Sequence, residues 1–87
     1  IKMKDKIAIF YNLENDDLFG VILDQNQVNF CSYSKIGQHS DISLSYIDDS
    51  IDAPINKDSF ELYKELKEIY KDADFIEQNE MREYLNL

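Results

Sequence analysis

Three apolar runs stand close together near the start of this 87-residue chain, separated by links too short for anything but hairpins. Lys6-Ile7-Ala8-Ile9-Phe10-Tyr11 is β-branched and aromatic, with Ile7, Ile9 and Tyr11 on one face. Leu18-Phe19-Gly20-Val21-Ile22-Leu23 is nearly continuous, the pattern of a strand covered on both faces. Val28-Asn29-Phe30-Cys31-Ser32-Tyr33 alternates and makes a third strand. The links Asn12–Asp17 and Asp24–Gln27 are polar and rich in turn formers. A parallel crossover needs roughly a dozen residues or more. The three strands are therefore predicted to form an antiparallel meander.

The next stretch is ambiguous. After a loop around Gly37, the alternation of Ile42, Leu44 and Tyr46 favours a strand. A short helix over 40–47 has Ser40 as N-cap, Asp41 in the first turn, and Leu44, Ile47 and Ile51 at helical spacing. The helix is preferred, because a capping residue explains Ser40-Asp41. Asp48–Pro54 reads as a polar connection. From Lys57 to Asp72, Leu62, Tyr63, Leu66, Ile69, Tyr70 and Ala73 recur at three- and four-residue steps, which predicts the main helix. Asn56 or Asp58 can cap it, and Asp58 with Glu61 has capping-box spacing. Glu61, Lys64, Glu65, Lys67, Glu68 and Lys71 fill its other side with mixed signs and read as a solvated exterior. Asp74–Gln78 is expected to add an edge strand, and Asn79–Leu85 a terminal helix capped by Asn79.

The sum is one α+β domain over residues 1–87, with a three- or four-stranded antiparallel sheet under the main helix and smaller helical pieces. Its expected core is Ile7, Ile9, Phe19, Val21, Leu23, Val28, Phe30, Leu62, Leu66 and Ile69. Residues 1–5 and 86–87 are expected to fray. Met3 reads as the natural start, with Ile1 and Lys2 left over from cloning. The single cysteine excludes an intramolecular disulfide framework, no apolar run reaches membrane-spanning length, and no signal-peptide h-region precedes the first strand. A cytoplasmic protein is expected.

Charge bounds the partners. Eighteen acidic residues face nine basic ones, for a formal net charge of −9, and thirteen of the acids lie after residue 40. Such a field repels nucleic acid and anionic membrane and attracts basic surfaces. The acids concentrate in two tracts, Asp48, Asp49 and Asp52, and then Asp72, Asp74, Glu77, Glu80 and Glu83. These are the candidate partner-binding residues, and carboxylates along helices can imitate a phosphate backbone.

Catalytic signals are sparse. Gln38 and His39 lie in a loop and are the candidate ligand-binding pair; a Cys31–His39 nucleophile pair needs the thiol turned toward that loop. One His and one Cys cannot build a zinc site, and Asp48–Asp52 lacks the spacing of a calcium loop. No phosphate-binding, dinucleotide-binding or nucleophile-elbow motif occurs. Neither a cofactor nor a metal is expected, and no enzymatic activity.

The segment Gly37-Gln38-His39-Ser40, followed by Tyr46, Pro54 and a helix carrying Phe60, Leu62, Leu66 and Tyr70, resembles short uncharacterised proteins of bacteria and their phages or mobile elements. The resemblance covers roughly residues 6–77. It implies a small accessory or host-interaction protein and gives no residue a role. The expected function is a non-enzymatic interaction module, an inhibitor or regulator docking on a basic protein surface. The rivals are a ligand-binding or catalytic domain using Gln38 and His39, and a homo-oligomer formed through the sheet edge or the terminal helix.

Overall fold

The computed structural model describes residues 4–34 and 37–87. The expectations for Ile1, Lys2 and Met3 lie outside the described residues. The chain runs β1 (Lys6–Asn12), β2 (Asp17–Leu23), β3 (Phe30–Ser34), β4 (His39–Ser40), α1 (Leu44–Asp48), β5 (Ile51–Asp52), α2 (Lys57–Ile69), β6 (Asp74–Phe75) and α3 (Gln78–Tyr84). The fold is α+β. β1, β2 and β3 form the antiparallel meander, in the sheet order β4-β3-β2-β1-β5, with β6 also on β1.

Among the described residues the sheet has six strands rather than three or four, because three two-residue strands finish its edges. β5 pairs antiparallel with Phe10 and Tyr11, and β6 pairs parallel with Lys6 and Ile7. Between them the Ile9 carbonyl accepts from Gln78 Nε2 at 2.6 Å. Two strand fragments and one side chain thus close an edge that a bare β1 would leave open to pairing.

Local chemistry moved several boundaries. The Asp24 carboxylate accepts from the backbone N–H of Val28 at 2.9 Å and of Asn29 at 3.2 Å. Those bonds hold the Asp24 carboxyl below its usual range, with the Val28 bond the largest cause. They also keep Val28 in the turn, 72% exposed, so β3 begins at Phe30. Ser43 rather than Ser40 caps α1, accepting from Tyr46 N, while Ser40 lies in β4. Asn56 caps α2 reciprocally with Ser59, so the box forms there and not between Asp58 and Glu61. α2 stops at Ile69, because Tyr70 leaves the helical region at φ −115 and ψ 69 and the chain turns back to β6. β6 ends at Phe75, and α3 starts at Gln78 with Glu77, not Asn79, in the N-cap position.

Side chains alternate across a strand, so the sheet has two faces, and both are covered. On one, Ile7, Ile22 and Tyr33 meet Leu62 and Leu66 of α2. Gly20 lies on this face, where a Cβ would stand 2.6 Å from Leu66 Cδ1, so the missing side chain lets α2 sit close to β2. On the other, Ala8, Phe10, Phe19, Val21 and Leu23 meet Ile47 of α1 and Met81 of α3. Ile7, Phe19, Val21, Leu23, Leu62 and Leu66 are core residues as expected, and Ile9 and Phe30 are half-buried. Val28 is not core, and Ile69 is 47% exposed beside the end of α2. The second covered face adds Phe10, Ile47, Met81 and Leu85.

Candidate functional site

His39 is placed by the β3–β4 hairpin. Gly37, at φ 84, donates its N–H to Ser34 O, and Ser34 N donates to Gln38 O at 3.0 Å. The turn sets His39 opposite Tyr33 and Ser40 opposite Ser32. His39 therefore projects to the α2 face, packs edge-on to the Tyr33 ring at 4.9 Å, and places Nε2 2.6 Å from Tyr70 Oη. Tyr33 in turn donates to the Glu65 carboxylate. That bond, with burial behind it, pushes the Tyr33 phenol up to about 12. Burial raises the Tyr70 phenol, with the nearby Cys31 and Asp5 adding to it.

This cluster braces β4 against the end of α2. The Cys31 thiol is pushed up by burial first and by the charges of Asp41 and Asp5 second, the opposite of what activates a thiol. The contacts of the His39 imidazole run to Tyr33 and Tyr70. Gln38 is exposed at the tip, and its backbone carbonyl closes the hairpin. The arrangement ties β3 and β4 to α2.

The acidic tracts are brought together by Arg82, the chain's one arginine. Its guanidinium donates to Ser50 O at 2.5 Å and to Asn79 Oδ1 at 3.4 Å, lies 3.6 Å from Asp52, and stacks its Cζ 5.2 Å from the Phe10 ring. A planar head with five donors can hold several acceptors together where lysine could not. Asp48 closes α1, Asp49 is its C-cap, and Asp52 lies in β5; all three are exposed. α3 turns Met81 inward and leaves Glu80 and Glu83 exposed. Arg82 thus ties the Ser50–Asp52 stretch to α3 over the Phe10 face of the sheet, and the exposed Asp48, Asp49, Glu80 and Glu83 lie on the elements it joins.

The second tract does not stay whole. Asp74 pairs with Lys6 at 3.9 Å, and Lys6 also covers the Tyr84 ring at 5.2 Å, so Asp74 flanks α3. Glu77 is exposed at the α3 N-cap and makes no side-chain capping bond. Asp72 departs: it lines a hollow of about 300 Å³ with Lys4, Asp5, Gln25 and Lys71 at the end of α2.

A further groove of about 460 Å³ opens between the β1–β2 turn and the entry to α2, lined by Tyr11, Asp16, Asp17, Leu18, Pro54 and Asp58 among others. Two of its carboxylates carry phenol donors, Tyr11 on Asp16 and Tyr46 on Asp17 at 2.8 Å. Reading the sequence did not single out this groove, because its residues meet only once the hairpin and helix are assembled. Nor did it single out Arg82, for which the lone arginine among lysines was the available signal. Among the described residues no group of three or more His, Cys, Asp or Glu is arranged to hold a metal ion, and no helix is long and apolar enough to cross a membrane.

No protein-family model, no curated protein and no solved structure matches this chain.

Proposed function

We propose that the protein is a small acidic interaction module whose α1–β5–α3 layer docks on a basic protein surface, as an inhibitor or regulator of the accessory kind found in phages and mobile elements. The observation that supports it most is the Arg82 clamp, which joins the Ser50–Asp52 stretch to α3, so that two acid-bearing elements distant in sequence are held together. A concentrated single-sign surface steers association with its opposite and makes it salt-sensitive. A ligand-binding role for Gln38 and His39 has less support, since His39 already contacts Tyr33 and Tyr70.

The test is capture of partners at low and at high salt, with the wild type and with Glu80→Lys/Glu83→Lys. A basic partner retained at low salt, released at high salt and lost with the variant is the expected outcome. Partners indifferent to both salt and variant would end the electrostatic reading.

A further inference from the structure

The lysines of α2 are sorted, not scattered. At 3.6 residues per turn, Lys57, Phe60, Lys64 and Lys67 fall within a sector of about 80°, and Asp58, Glu61, Glu65 and Glu68 occupy the neighbouring one. The structure gives the basic sector an aromatic floor. Lys64 Nζ lies 5.8 Å from the Phe60 ring centre and Lys67 Nζ 5.2 Å from that of Phe75, while Tyr63 packs edge-on to Phe75 at 4.8 Å. Lys71 joins Lys64 and Lys67 around Tyr63 in a shallow depression of about 330 Å³, where Glu68 offsets one of the three positive charges. Phe60 is 61% exposed and Tyr63 37%, a large aromatic area for a helix's outer side. The acidic layer on the other face of the sheet has its own exposed apolar residues, Leu44 and Tyr84. One chain thus carries two surfaces of opposite sign, each with apolar area to bury.

We propose that a second copy of this chain docks its Lys64–Lys67–Lys71 strip on the Asp48, Asp49, Glu80 and Glu83 layer of the first. The inference rests on that layer being the binding face argued above, and it adds how the face is occupied when no partner is present. The two surfaces differ, so the contact is heterologous and leaves one of each free at the ends; copies add head to tail. A basic partner competes with the lysines of the neighbouring copy for the same carboxylates.

The net charge of −9 gives this contact an unusual salt dependence. At 0.01 M salt the Debye length, about 30 Å, exceeds the 27 Å intermediate extent of the molecule, so whole-molecule repulsion prevails. At 0.1 M it is about 10 Å, and mainly the facing surfaces sense each other; at 1 M it is about 3 Å, and their attraction is screened as well. Association is therefore strongest between the extremes.

Sedimentation velocity over a concentration series at these three salts tests the proposal. The sedimentation coefficient of the wild type is expected to rise with concentration near 0.1 M and to change least at both ends. Lys64→Glu/Lys67→Glu and Glu80→Lys/Glu83→Lys, each alone, should weaken self-association by more than about tenfold, since the first turns the strip acidic against the acidic layer and the second cancels the layer's charge. An equal mixture of the two should associate again, because the native strip of one variant meets the native layer of the other; recovery shows in addition that both variants fold. A wild type that stays monomeric at every salt, variants that associate like the wild type, or a mixture that does not recover would each overturn it. A monomeric wild type that still loses a basic partner on Glu80→Lys/Glu83→Lys would overturn the self-docking alone and leave the proposed function standing.

Discussion

The two faces of the sheet are covered by different means. α2 is one thirteen-residue helix with a reciprocal cap and a continuous apolar stripe, and it brings Leu62 and Leu66 onto Ile7 and Ile22. The opposite face is covered by α1 and α3, of five and seven residues. Isolated helices shorter than about 12–15 residues are marginal in water, so these two hold only through tertiary ties. Those ties are visible: Arg82 to Ser50 O, Gln78 to Ile9 O, Tyr46 to Asp17, and the buried Asn12 amide donating to Ser50 Oγ at 3.3 Å. α1, α2 and α3 are all short enough to depend on docking, but α2 brings its own cap and stripe while α1 and α3 rely on ties to the rest of the chain. The acidic layer belongs to the latter.

The largest test of this contrast is to empty each face in turn. Phe10 is fully buried, stacks with Phe19 at 6.0 Å and supports Arg82. Phe10→Ala is expected to cost about 3–5 kcal/mol, and Leu66→Ala about 2–5 kcal/mol, from lost transfer energy plus the cavity. The discriminating measurement is hydrogen exchange. Phe10→Ala should release the amides of α1 and α3 while α2 stays protected, and Leu66→Ala should do the reverse. Uniform loss in both variants would mean that the two covers are one cooperative unit.

Arg82 is next. Arg82→Met keeps part of the packing on Phe10 but removes the charged donor to Ser50 O, for which about 1.5–3 kcal/mol is the scale of such bonds. Thermal melts should show that loss, and basic-partner binding should weaken too, although the variant makes the protein more negative. If stability falls while binding rises, net charge outweighs the joined layer, and the clamp is not what organises the surface.

The contrast also explains what could be read in advance. The meander and α2 were legible, because their signals are local: alternation in β1 and β2, polar links too short for crossovers, and a stripe at helical spacing. The layer opposite was not. A short helix over 40–47 and a terminal helix over 79–85 are expected from the sequence, but each is too short to show which surface Ile47, Met81 and Leu85 would meet, and they are buried because β1 and β2 offer them a second face. Val28 and Ile69 failed for the converse reason. Their patterns pointed inward, but the Asp24 carboxylate tied Val28 into a turn and the α2 stripe ran past the edge of the sheet. Of the site, the acids were legible as composition and the sorting of the α2 lysines was present as spacing. Their grouping with Asp52 and Arg82 was not, since it depends on where α3 docks.

The cap of α2 offers a smaller effect. Asn56 accepts from Ser59 N at 3.0 Å, and Asn56→Ala should cost about 1 kcal/mol, the usual size for a side-chain N-cap. Because α2 covers only one face, the early exchange should be confined to its first turn, with α1 and α3 unaffected below the global transition.

The smallest effect at neutral pH, and the most specific to the brace between the sheet and α2, is the titration of Tyr33. Its phenol donates to Glu65, and ionising it would set two negative charges together, which is why it is raised from 10.0 to about 12. A phenol raised in the folded state binds its proton more tightly there than in the unfolded chain. Its contribution to stability is therefore complete below about pH 10 and lost as the pH rises through about 12. Tyr11, Tyr46 and Tyr70 are raised as well and act in the same direction. Tyr33→Phe removes the largest of these shifts, so its stability curve should fall less steeply with pH between 10 and 12 than that of the wild type. Chemical denaturation at several alkaline pH values, alongside tyrosinate absorbance, measures both slopes; parallel curves would show that the Tyr33–Glu65 bond does not tie α2 to the sheet.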